Sequence, residues 1–287
     1  MAEAATATGA ARIAGAFERA RGEGRAALMP YLMGGFPDHE TSLAAAAAYA
    51  DAGADLVELG VPFSDPLADG PVIHAAATRA LAAGATLASV LEICERIADH
   101  VPVVPMAYAN MALAQGPDGF SRALADAGAS GAIVPDLPPE EGGEIAAALR
   151  AAGLALIPLV APTTPPERRR EICATADGFV YLVSDTRVTG ERDEFPPGLA
   201  NLITQTKADS PVPVAVGFGI TTPTQAATIG QTADGVIIGS RLVRAVADAG
   251  NSADAAAAVS AFLSECRERL SAGGAGKGPD HAPVQGA

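Results

Sequence analysis

Short apolar runs alternate with Ala-rich helical stretches along most of the chain, and the alternation carries a weak repeat. Ala52-Gly53-Ala54-Asp55 leads into Leu56-Val57-Glu58-Leu59-Gly60, and Ala127-Gly128-Ala129-Ser130 leads into Gly131-Ala132-Ile133-Val134-Pro135-Asp136. Thr175-Ala176-Asp177-Gly178 precedes Phe179-Val180-Tyr181-Leu182-Val183, and Thr232-Ala233-Asp234-Gly235 precedes Val236-Ile237-Ile238-Gly239. Each is a helical segment that ends near a small or turn-forming residue and is followed by a buried strand, the pattern of alternating helix and parallel strand. Four more strands fill the gaps near 28–33, 102–108, 154–160 and 212–217. Helices are expected near 39–52, 71–99, 117–128, 139–152, 165–176, 196–207, 222–231 and 240–248, with a last one near 253–271. Eight βα units in a chain of this length predict an α/β fold of the closed (β/α)8 TIM-barrel type, with an N-terminal capping helix near 11–22 and extra helices. A dinucleotide-binding sheet would want G-x-G-x-x-G after its first strand, and that is missing. The expected organisation is a mobile stretch over 1–10, one barrel domain over 11–271, and a disordered Gly/Pro-rich tail over 272–287.

Composition narrows the class. Hydrophobic residues make up 49% of the 287, enough for a large core. The longest apolar runs fall short of the roughly 20 residues that span a bilayer. The opening Met-Ala-Glu-Ala-Ala-Thr-Ala-Thr lacks the basic start and apolar stretch of a signal peptide, so a cytoplasmic location is expected. Cys94, Cys173 and Cys266 lie far apart and outside any C-x-x-C pattern, and the four histidines show no ligand spacing. They read as buried thiols, with no disulfide framework and no metal site. A formal charge of −14 argues against nucleic acid and anionic membrane as partners. A phosphorylated small molecule would then have to be held by backbone amides and helix N-termini.

The most informative stretch is Glu58-Leu59-Gly60-Val61-Pro62-Phe63-Ser64-Asp65-Pro66-Leu67-Ala68-Asp69-Gly70-Pro71. A carboxylate interrupts an apolar strand there, and two more follow in a loop stiffened by three prolines, which holds Asp65 and Asp69 in place. A carboxyl group facing a core is either paired or neutral with a raised pKa, and a neutral one can donate a proton. Taken singly, Glu58 also fits a strand-end carboxylate turned to solvent.

Barrel enzymes place their chemistry on the loops that follow the strands. Strand three ends at Tyr108-Ala109-Asn110 and strand four at Asp136. Strand six carries Tyr181 and then a long polar loop from Ser184 to Glu194, which reads as a lid or as an ordinary surface loop. Strand seven runs into Gly217-Phe218-Gly219-Ile220-Thr221, and strand eight into Gly239-Ser240 at a helix start. Glycines beside a helix N-terminus suit an anion, and the last two loops of such barrels commonly hold phosphate.

These residues resemble one family, the α subunit of tryptophan synthase. The centre of the match is E-L-G-V-P-F-S-D-P-L-A-D-G-P over 58–71, supported by M-A-Y-A-N (106–110), I-V-P-D-L-P (133–138), V-T-G (188–190), G-F-G-I (217–220) and G-S (239–240). The resemblance covers roughly 12–250. It implies retro-aldol cleavage of indole-3-glycerol phosphate to indole and glyceraldehyde 3-phosphate, a carbon–carbon lyase step of L-tryptophan biosynthesis. It assigns Glu58 as general acid–base and Asp69 as the carboxylate that meets the indole N–H. Tyr31, Tyr108, Tyr181 and Thr189 would line the substrate pocket, where Tyr31 and Tyr181 serve core packing equally well. Gly190, Gly219, Gly239 and Ser240 would hold the phosphate. The resemblance implies no cofactor in this chain, with pyridoxal phosphate in a partner β subunit and two α and two β chains assembled. Two other readings are a regulatory binding subunit of the β chain with weakened lyase activity, and a free-standing indole-releasing lyase. The sequence departs from the family at Arg187, where the lid usually carries glycine, and at Met33 and Phe36 in the first loop, where Thr and Asp are common.

Overall fold

In the computed structural model, residues 7–184, 195–217 and 219–274 are described. Nine parallel strands form the sheet: β1 (Ala27–Met33), β2 (Val57–Gly60), β3 (Val103–Met106), β4 (Gly131–Ile133), β5 (Ala155–Ile157), β6 (Leu159–Val160), β7 (Val180–Val183), β8 (Val214–Gly217) and β9 (Gly235–Ile238). They pair in the order β5-β4-β3-β2-β1-β9-β8-β7-β6. The two ends of that ladder, β5 and β6, are consecutive in the chain with only Pro158 between them. The expected strand over 154–160 is therefore one staff of the barrel broken in its middle, because proline lacks the N–H a ladder needs. Its first half pairs with β4 and its second with β7, which closes eight staves into a TIM barrel.

The helices are α1 (Gly9–Gly22), α2 (His39–Asp51), α3 (Pro71–Ala82), α4 (Leu87–Ala98), α5 (Ala109–Gln115), α6 (Pro117–Asp126), α7 (Gly143–Ala151), α8 (Pro166–Ala174), α9 (Leu199–Asp209), α10 (Pro223–Gly230), α11 (Ser240–Ala247) and α12 (Ser252–Gly274). Among the described residues no single helix is long and apolar enough to cross a membrane. Side chains alternate across each strand, so Ala27, Met29, Leu56, Val104, Ile133, Ala155, Ile157, Phe179, Ala215 and Ile237 fill the interior. Ile13, Phe17 and Ala20 of α1 join that cluster and plug the barrel's N-terminal end. The opposite faces pack against the surrounding helices.

The repeated Asp before the strands has a structural cause. Asp55 accepts the Leu28 N–H at 2.8 Å and pairs with Arg25 at 2.5 Å, and Asp234 accepts the Val214 N–H at 3.0 Å and pairs with Lys207 at 2.7 Å. Each carboxylate thus ties the start of its own strand to that of the neighbouring one.

The helix expected over 71–99 is two helices, α3 and α4, bent by 107°. Gly84 between them has φ +89°, which suits only glycine, and Thr86 starts α4 with a capping box to Ser89. Residues 109–115, read as loop, form α5. α1 begins at Gly9, two residues before its expected start, because the Thr8 hydroxyl caps it at Ala11 N. α12 reaches Gly274, past the expected end at 271. Of the mobile start expected over 1–10, Gly9 and Ala10 are helical, and of the disordered tail expected over 272–287, residues 272–274 are helical; residues 1–6 and 275–287 lie outside the described residues.

Candidate active site

Strand alternation places the first functional side chain. Leu56 faces the barrel interior, so Glu58, two residues on, faces it too, one layer nearer the C-terminal mouth. Glu58 is 1% exposed, and neither carboxyl oxygen has a hydrogen-bond partner among the described residues. Burial alone pushes its pKa well above 4.5, so the group is held as the neutral acid. The alternative of a solvent-facing Glu58 is overturned.

The proline-stiffened loop after β2 returns Asp69 to the same hollow. Asp69 is only partly buried, and burial raises its pKa. The Tyr108 hydroxyl, which donates to Asp69 Oδ1 at 3.3 Å, and His74 both pull it back down. Two carboxyl groups therefore open on one space with different surroundings, one dry and unpartnered, the other with a hydroxyl donor. Asp65 does not join them. It is exposed and, among the described residues, accepts only from its neighbour Ser64, at 2.6 Å.

The hollow is narrow, about 50 Å³, and is lined by Tyr31, Glu58, Ala68, Asp69, Gly70, Ile73, Met106, Tyr181, Gly219, Ile220, Thr221, Ile237, Gly239 and Ser240. Of the residues expected at the site, Tyr31, Tyr181, Gly219, Gly239 and Ser240 are gathered here with the two acids. Tyr108 is not on the wall. It stands behind Asp69, accepts the Ala68 N–H at 3.1 Å and stacks on Phe63 with ring centroids 5.0 Å apart. Burial raises its pKa to about 12, so it stays a donor. Thr189, Gly190 and Arg187 lie outside the described residues with the rest of 185–194, so of the expected lid only Ser184 is described. Asp136 accepts the Ala109 N–H at 2.8 Å and so caps α5 from across the mouth.

Two helix starts border the hollow and differ. Thr222 and Gln225 cap α10 reciprocally, whereas no side chain caps α11 after Gly239. The N-terminus of α11, with Ser240 as its first residue, is the one left able to receive an anion. Ile73, Met106 and Ile237 are apolar wall residues that the sequence reading missed. Alternation along β9 could have given Ile237, had the unbroken run Val236-Ile237-Ile238 not hidden which face is which.

A larger hollow of about 540 Å³ lies outside the barrel between α7 and α8. Its arginines, Arg150 and Arg168, are ion-paired to Asp177 and Glu140, and it holds no buried, unpartnered acid. Size does not locate the chemistry here. The unpartnered Glu58 does. Among the described residues no group of three or more His, Cys, Asp or Glu side chains gathers to hold a metal, and the three cysteines are buried and free.

Comparison with known proteins gives the family. A family model described as tryptophan synthase alpha chain matches residues 17–271. The tryptophan synthase alpha chain of Synechococcus sp. (strain CC9902) is 48% identical over 255 residues, covering 88% of this chain and 94% of that one. That of Roseiflexus castenholzii is 48% identical over 239 residues, covering 82% and 91%. Among solved structures, a chain of Mycobacterium tuberculosis tryptophan synthase superimposes with TM-score 0.84 at 38% identity, covering 92% of this chain and 99% of that one. Tryptophan synthase subunit alpha from Legionella pneumophila gives 0.82 at 36%, covering 90% and 98%.

Proposed function

The chain belongs to the tryptophan synthase alpha chain family, and on that premise we propose that Glu58 and Asp69 divide the work of its reaction. That reaction is the cleavage of indole-3-glycerol phosphate to indole and glyceraldehyde 3-phosphate, a lyase step in L-tryptophan biosynthesis. The bond to be broken joins indole C3 to the first glycerol carbon, and indole leaves only once C3 is protonated. Glu58, neutral and dry, gives that proton. Positive charge then spreads toward the ring nitrogen, where Asp69 accepts the N–H and favours the charged ring over the neutral substrate. The electrons of the breaking bond return to the ring. The hydroxyl on the first glycerol carbon becomes the aldehyde, and its proton goes to the Glu58 carboxylate, which restores the acid.

Tyr31 and Tyr181 wall the ring, and Gly219, Gly239 and Ser240 at the uncapped start of α11 receive the phosphate. This arrangement is local, as the chain's net negative charge requires. Pyridoxal phosphate belongs to a partner β subunit that consumes the indole, in an assembly of two α and two β chains in the cytoplasm. Leu67, 85% exposed in the loop that carries Asp69, and Leu113, 60% exposed on α5, supply an apolar docking rim for that partner.

The observation that carries this reading is a buried carboxyl group without a partner that shares its hollow with a second, hydroxyl-held carboxylate. Indole release by the wild-type chain and by Glu58→Gln tests it. The variant is expected to lose nearly all turnover while still binding substrate. Wild-type turnover in the variant would remove Glu58 from the role. Adding a β subunit should stimulate the wild-type chain strongly, and an unchanged rate would favour a free-standing lyase.

A further inference from the structure

One unpartnered polar group and one poorly paired one occupy the same hollow, and only the first, Glu58, is used by the reaction. The second is the Tyr31 hydroxyl. Tyr31 is 6% exposed, and the only partner of its hydroxyl among the described residues is the Met33 thioether at 4.0 Å, the long limit of a weak contact. Buried polar groups are rarely left so poorly paired, and each such case calls for a reason.

The backbone shows how the hydroxyl comes to be there. Tyr31 and Glu58 are register partners in parallel strands, so both side chains point into the barrel at the same height. The next inward position on β2 is Gly60, roughly 6.6 Å nearer the mouth. A Cβ at Gly60 would lie 2.0 Å from the Tyr31 hydroxyl and 2.6 Å from its ring carbon Cζ. The tyrosine thus leans along β2 into the room that glycine leaves, which sets its hydroxyl on the mouth side of the Glu58 carboxyl. β7 and β8 repeat the device, with the Tyr181 hydroxyl 2.2 Å from where a Cβ at Gly217 would stand. The other acid on the hollow is Asp69, which already has Tyr108.

Resting on the acid role of Glu58 proposed above, we infer that the Tyr31 hydroxyl is a positioning donor for the Glu58 carboxylate that exists between the two proton transfers. While Glu58 is neutral the two groups need no bond. Once its proton has gone to C3, a bare carboxylate stands in a dry site, and the hydroxyl seated over Gly60 turns from the Met33 thioether to donate to it. The tyrosine keeps its proton throughout, so no group other than Glu58 changes protonation.

Tyr31→Phe keeps the ring and its packing and deletes only the donor. The expected result is a kcat lower by about tenfold with KM nearly unchanged. Activity needs protonated Glu58, so it falls as pH rises through the Glu58 pKa. Deleting a donor to the carboxylate raises that pKa, and the alkaline limb of the kcat profile should move to higher pH. The melting midpoint should stay level or rise, because a poorly paired buried hydroxyl has been removed. An unchanged kcat, or a lower kcat with the alkaline limb in place, overturns the inference. Glu58→Gln assayed in parallel separates the two claims. If that variant is inactive while Tyr31→Phe matches wild type, only the role of Tyr31 falls. If it turns over normally, the acid assignment falls first.

Discussion

Glu58→Gln should make the folded protein more stable near neutral pH as it removes catalysis. Burial holds the Glu58 pKa well above 4.5 in the folded chain, so the fold favours the neutral acid. The stability linked to this group is fully present below the unfolded value and is lost as pH rises toward the folded one. Each pH unit in that interval costs about 1.36 kcal/mol, so the ceiling near pH 7 is about 3.4 kcal/mol. Glutamine has the shape of the neutral acid and would be equally unpartnered, so the comparison isolates ionisation. The assay is the thermal midpoint of both forms from about pH 4 to pH 8. A chain of this size shifts by roughly 2–4 °C per kcal/mol, so the variant should melt higher by up to roughly 7–14 °C near pH 7 and coincide with wild type near pH 4. A difference independent of pH, or a wild type that is more stable near pH 7, would refute the claim that Glu58 is buried as an acid.

Two further substitutions probe the surroundings. Tyr108→Phe removes the hydroxyl that holds down the Asp69 pKa, so the acid limb of kcat/KM should move toward neutral by about one unit, the low end for a bond to a charged group given its 3.3 Å length. An acid limb that stays in place would take Tyr108 out of that role. Asp55→Asn leaves the buried Arg25 guanidinium with Glu23 as its one charged partner, beside the Ala26 carbonyl, and should lower stability by about 3 kcal/mol, read as the urea midpoint. A change within about 0.5 kcal/mol would mean that the pair is replaceable.

The fold was legible where signals are local and repeated. The helix–turn–strand unit recurs, eight such units leave little choice but a barrel, and in two of them an Asp, at 55 and at 234, ties a strand start to its neighbour. Glu58 was legible for a related reason: a charge in an apolar strand breaks a pattern. What escaped reading depends on residues distant in sequence. α5 is only seven residues long and takes its cap from Asp136, 27 positions away, so nothing within 109–115 announces it. The split of α3 from α4 was available in Gly84 and Thr86, but the Ala-rich run around them reads as continuous helix. Tyr108 looked like a wall residue because strand-end aromatics usually are, and only the position of Asp69 in space turns it into a support.

The two acids illustrate why their sites are built from different elements. Glu58 has to stay dry, and a strand interior achieves this because its register partners Tyr31 and Val104 present a ring and an aliphatic side chain, and the Tyr31 ring fills the room left at Gly60. Asp69 has to keep its charge near a mouth that substrate and solvent both enter, and a strand cannot supply donors there. A loop can, provided it is stiff, and Tyr108 adds stiffness by holding Ala68 N, Asp69 and the Phe63 ring together. Exchanging the two positions would fail on this argument even with the distances preserved. A carboxyl group at 58 could be held as a resting anion only at a large free-energy cost, and one at 69 would ionise too readily to act as a donor at neutral pH.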